Sequence, residues 1–164
     1  MGCSVMTQRD YEKLYAFLGA LTPLKKDCGQ LCAGACCKGD DHTGMLLFPG
    51  EETTLQVIER DEKRIAVCDG ACDRDLRPLS CRIFPFFPIK NEKGRIEIAF
   101  DYRAYFVCPM IKYQDEIAFD KRFIHRLKHI GKVLYNDPAS AAFMDEIATA
   151  IETERSIIAN LFPL

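Results

Sequence analysis

The chain has 164 residues, 48% of them hydrophobic and 28% charged, with a formal net charge of −2. These values exclude disordered, collagen-like and fibrous classes, and a chain of this length buries roughly 70% of its unfolded surface without covalent staples. So weak a net charge sets up no global field favouring nucleic acid or an anionic membrane, and neither is expected as a partner. No apolar run reaches the roughly 18 residues of a membrane span. Arg9, Asp10, Glu12 and Lys13 stand where a secretory leader would need an apolar stretch, so no leader is expected.

Tyr11, Leu14, Tyr15 and Leu18 share one helical face and predict a helix over 8–21, with Thr7 as N-cap and Pro23 as its stop. A cysteine-rich loop over 24–44 follows, then a short apolar strand over 45–48. Pro49 opens a predicted short helix over 50–60. A strand over 64–67 leads to Cys68. Residues 95–100 alternate with period 2, predicting a hairpin of 82–90 and 95–101 around Asn91-Glu92-Lys93-Gly94. Two longer helices, 114–135 and 138–160, are parted by Asn136-Asp137-Pro138. In the first, Phe123, Leu127, Ile130 and Leu134 form the buried stripe. His125 and His129 lie on its polar side, without the glutamate of an H-E-x-x-H motif; this basic face reads as solvated, with RNA or membrane binding as the minor alternative. The expected fold class is α+β. It is a small mixed single domain over 1–164, whose cysteine-rich loop and short-strand core (22–110) is supported by an N-terminal helix and a C-terminal helical extension (111–164).

The chemistry of the sequence lies in its nine cysteines. Cys28, Cys32, Cys36 and Cys37 form one dense run; Cys68, Cys72 and Cys81 form a second; Cys108 follows, just before Pro109. Thiols at this density either clamp a soft metal or form disulfides. Disulfides require an oxidising compartment, and the odd count leaves a thiol over. A metal fits a reducing cytoplasm. Thiolates a few residues apart on a turning backbone converge on one ion, and Gly29 and Gly34 let the chain turn tightly. The spacing C-x3-C-x3-C-C, then C-x3-C, is neither the zinc ribbon with its C-x2-C pairs nor the bacterial ferredoxin run. Neighbouring side chains diverge in regular structure, so Cys36-Cys37 suits two ions, or two irons of one cluster, better than one mononuclear ion. These eight cysteines are the candidate ligands. Zinc is the first expectation and an iron–sulfur cluster the alternative, since thiolates bind both. Cys3 is isolated near the terminus and is expected to take no part.

Other residues carry two readings each. His42 could complete a mixed Cys/His site, but in a charged, glycine-bounded loop it is more often solvated. Phe84-Pro85-Phe86-Phe87-Pro88, directly after Cys81, is either a dry shell for the site or core packing, the second being favoured. Arg77 and Arg82 flank Cys81. They could lower thiol pKa values or bind an anion, and could equally pair with Asp73, Asp75 or Glu51.

The cysteine run ending in Cys36-Cys37, the stretch Phe48-Pro49-Gly50-Glu51 and the stretch from Arg77 through Pro78-Leu79-Ser80-Cys81-Arg82-Ile83-Phe84 to Pro85 resemble one bacterial family. It is the zinc- or iron-chelating cysteine-cluster family that includes the flagellin lysine N-methylase. The resemblance spans roughly residues 28–110. The family run is C-x2-C-x2-C-C, and both gaps here are one residue longer. The resemblance implies chelation of zinc or iron and, less directly, methyl transfer to a protein. No G-x-G-x-x-G, P-loop or G-x-S-x-G motif is present, and no methyl-donor site is legible. The expected function is a cytoplasmic metal-binding protein, with a metal ion and a further protein as partners. The alternatives are a protein-modifying enzyme of the lysine N-methylase kind and a thiol-based redox sensor, and whether the chain is an enzyme stays open.

Overall fold

The computed structural model describes residues 5–38, 44–68, 70 and 73–162. Helix α1 (Gln8–Leu18) starts where Thr7 donates from its amide and hydroxyl to the Asp10 carboxylate, at 3.1 and 2.8 Å. It stops at Leu18, earlier than Pro23 suggests, because Gly19 leaves the helix at φ 61°. The 24–44 segment contains more than loop. One-turn helix α2 (Gly29–Cys32) ends on Ala33 in the left-handed region, and a 3-10 turn over Ala35–Cys37 follows Gly34.

Strands β1 (Met45–Leu46), β2 (Gln56–Arg60) and β3 (Lys63–Val67) form an antiparallel sheet in the order β1-β3-β2. The helix expected over 50–60 does not form. β-Branched Val57 and Ile58 favour a strand, and Gln56–Arg60 pairs residue for residue with Lys63–Val67. Asp61 and Glu62, both at positive φ, make the two-residue turn. Cross-strand pairing thus outweighs the local signal of Pro49.

Helix α3 (Leu79–Ile83) carries Cys81 and takes in Arg82 and Ile83, where the sequence pattern predicts the start of a strand. The strand begins later, as β4 (Phe86–Lys90), and pairs with β5 (Ile96–Phe100) in the expected hairpin. A 3-10 turn over Tyr102–Ala104 and helix α4 (Pro109–Lys112) follow. Helix α5 (Lys121–Tyr135) starts later than its expected onset at 114, at the point where the Asp120 side chain accepts the Arg122 amide at 2.8 Å. Helix α6 (Pro138–Leu161) is capped by Asp137, which accepts the Ser140 amide at 2.8 Å and the Met6 amide at 3.1 Å.

The main core joins the inner face of α1 (Tyr11, Leu14, Leu18) to the expected stripe of α5, to Phe86 and Phe87 of β4, and to Met144, Ile147 and Ile151 of α6. Phe123, Leu127, Ile130 and Leu134 are all fully buried. At Gly131 a Cβ would lie 2.7 Å from the Pro88 Cβ, so α5 rests directly on the hairpin. A second, smaller cluster gathers Ala104, Cys108, Met110 and Ile111, with Phe84 and Cys28 packed against it. The fold is α+β. Among the described residues, no helix is long and apolar enough to cross a membrane.

Candidate metal centre

A buried carboxylate anchors the helix that carries Cys81. Gly50 takes φ +78°, and a Cβ there would meet the Met6 carbonyl oxygen at 2.0 Å, so only glycine fits. The tight turn puts Glu51 inside, with no exposed surface. Its Oε2 accepts the Phe48 amide at 3.0 Å; its Oε1 accepts the Leu79 amide at 2.6 Å and the Tyr15 hydroxyl. One side chain thereby ties α1, the Phe48–Glu51 turn and the first turn of α3 together. Burial pushes its carboxyl upward, against the pull of these donors and of Arg82. The Ser80 hydroxyl donates to the Leu46 carbonyl oxygen and fastens α3 to β1.

Arg82 completes the support. Its guanidinium lies 4.4 Å from the centre of the Tyr15 ring and donates to the carbonyl oxygens of Arg77 and Asp75, at 2.6 and 2.8 Å. It braces the loop before Cys81 with backbone contacts, where the sequence left open a carboxylate partner or an anion. Arg74 pairs with Asp27 at 3.5 Å, across the same region.

Cys81, so placed, lines a cleft of about 710 Å³ whose walls also carry Cys28, Cys32, Cys36, Cys37 and Cys108. α1 supplies Tyr15 and Glu12 to the cleft, while Phe84, Val107 and Met110 give it an apolar side. Behind it, a void of about 40 Å³ is bounded by Cys36, Cys37, Cys68 and Cys81 among others, which brings Cys68 to the same group. Seven of the eight candidate cysteines therefore gather around one cleft and its adjoining void. All seven are free thiols. Cys72, Cys3 and His42 lie outside the described residues. His125 and His129 line neither the cleft nor the void.

Of the aromatic wall, Phe84 lines the cleft and packs on the Cys108 cluster, whereas Phe86 and Phe87 are core. Core packing, the favoured reading, holds for Phe86 and Phe87. Cys108 is 5% exposed, buried in its apolar cluster at the cleft edge.

Three of the thiols are pushed toward the protonated form. Burial and the adjacent Cys37 push Cys36 up to about 12; burial pushes Cys108 up to about 11; burial and then Asp27 raise Cys28. Arg74 and Arg77 pull Cys28 the other way and do not prevail. Among the described residues, no three Cys, His, Asp or Glu side chains stand close enough together to share one ion. The donor set still suits a soft metal, because thiols from segments far apart in sequence bound the same space.

No protein-family model, curated protein or solved structure matches the chain.

The role of Glu51 was not legible from sequence, although Phe48-Pro49-Gly50-Glu51 stands out as a stretch. Its partners Tyr15 and Leu79 lie 36 and 28 residues away, and no local spacing signals them. Tyr15 reads as one more residue of an apolar stripe, and only its hydroxyl hints at a buried acceptor.

Proposed function

We propose that the protein binds zinc or an iron–sulfur cluster through thiolates drawn from Cys28, Cys32, Cys36, Cys37, Cys68, Cys72, Cys81 and Cys108, in the reducing cytoplasm. The observation that carries this reading is the gathering of cysteines from α2, the 35–37 turn, the end of β3, α3 and the start of α4 around one cleft and void. Buried cysteines that act as plain small hydrophobes have no reason to converge in this way. Binding requires the thiols to close in from their present spacing. Left-handed Ala33 and Gly34 turn the chain between Cys32 and the Cys36-Cys37 pair. The void of about 40 Å³ exceeds the roughly 10–15 Å³ a cavity needs to hold one water, so it has room for a single ion. Bound zinc supplies a closed four-thiolate cross-link and a cluster supplies electron transfer.

The cleft favours a second reading. Its volume of about 710 Å³ lies within the roughly 300–1,000 Å³ of small-molecule sites. A substrate side chain and a group donor would find room beside the thiols, as a protein-modifying enzyme needs.

Elemental analysis with an ultraviolet–visible spectrum, on protein purified without oxygen, tests the first reading. One or two zinc ions per chain in a colourless sample is the expected result. Iron with equimolar acid-labile sulfide in a brown sample supports the cluster form. Protein free of both metals would overturn the proposal.

A further inference from the structure

Helix α5 carries Lys121, Arg122, Arg126, Lys128 and Lys132, two histidines and no acid, in a chain whose net charge is −2. Its apolar stripe is buried in the core, so the face it shows to solvent is basic. Both arginines have partners within the chain. Arg122 pairs with Asp120 at 3.0 Å, and Arg126 donates to the Phe17 and Leu18 carbonyl oxygens at 2.7 and 3.1 Å. Lys121, Lys128 and Lys132 are exposed and make no ion pair among the described residues.

At the start of α5, a groove of about 710 Å³ runs between the 24–31 segment and residues 118–122. Lys25 and Lys26, likewise exposed and unpaired, share its lining with Lys121 and Arg122. Both acids in the groove are engaged, Asp120 with Arg122 and Asp27 with Arg74. Leu24, Leu31 and Phe119 give it apolar surface. Further along α5, Phe17 is 39% exposed and packs its ring 4.9 Å from that of His129.

We propose that this groove and the outer face of α5 bind single-stranded nucleic acid. Lysines take the phosphates, while the groove's apolar surface and the Phe17–His129 rings take bases, the combination that single-strand binders use. A membrane surface is disfavoured because α5 has no exposed apolar face to insert. An acidic protein is disfavoured because protein interfaces are depleted in lysine and enriched in arginine, and here the free cations are lysines. The whole-chain charge pointed away from nucleic acid because it averages this face with the acids elsewhere. The groove shares Asp27 and Leu31 with the thiol cleft, so a bound strand would run to the cleft's edge.

Fluorescence anisotropy of the full chain with a labelled oligouridine of about 15 nucleotides tests this. The five free lysines predict saturable binding that weakens with salt, with a log–log slope of about −3.5. The variant Lys25→Glu/Lys26→Glu/Lys121→Glu removes three of them and is expected to bind about 100-fold more weakly, with the slope near −1.4. All three side chains are exposed and unpaired, so its circular dichroism and melting temperature should match the parent's. If it misfolds, Lys128→Glu/Lys132→Glu is read instead, with an expected slope near −2. Absence of saturable binding at low salt, equal binding by the charge-reversed chain, or preferential binding of polyglutamate or anionic vesicles would overturn the proposal.

Discussion

Replacing Glu51 by alanine is expected to destabilise the fold by about 3–5 kcal/mol in urea unfolding. The carboxylate is fully buried and accepts from the Phe48 amide, the Leu79 amide and the Tyr15 hydroxyl. Without it, three buried donors lose their acceptor, each at a cost of about 1–3 kcal/mol less whatever water recovers. Glu51→Gln keeps one oxygen but brings an NH2 group against donors, so an intermediate loss is expected. The consequence extends to the thiols, because Leu79 opens the helix that carries Cys81. Cys81 in the alanine variant should react faster with an alkylating agent. A loss under about 1 kcal/mol, a size ordinary for surface substitutions, would show that Glu51 is not what fixes α3.

Chelation of the proposed metal is expected to have a still larger effect. A structural zinc contributes roughly 10–16 kcal/mol of apparent binding free energy, against about 5–15 kcal/mol for a typical domain's stability. The melting temperature should fall steeply. Part of the helical signal should survive, because the main core of α1, α5 and α6 contains no cysteine among the described residues. Metal uptake should also release protons, since Cys36, Cys108 and Cys28 are held in the thiol form. The sign follows: acid opposes binding, and apparent affinity falls about tenfold per pH unit for each proton displaced. Thermal unfolding with and without chelator, repeated at two pH values, reads both effects. An unchanged melting temperature would remove the structural role.

Local patterns accounted for much of the fold. The buried stripe of α5 and the alternation in β5 need only neighbouring residues, and both are read correctly from sequence. Local pattern alone predicts a helix over 50–60, because the strand over Gln56–Arg60 exists only through its pairing with β3. Helical spacing puts the start of α5 too early, because Asp120 and its capping bond set the boundary. The cysteines stood out by type and density alone. What positions them did not, because Glu51 reaches partners on α1 and α3 through contacts that no sequence window contains. Arg82 likewise proved to be a brace on backbone carbonyls and on Tyr15.

X-ray absorption at the zinc or iron edge, on protein purified without oxygen, tests the thiolate centre most directly. The proposed ligands predict a first shell made of sulfur, at about 2.3 Å if the metal is zinc. A zinc shell of oxygen and nitrogen at about 2.0–2.2 Å would contradict it, because the metal would then be held somewhere other than by these cysteines.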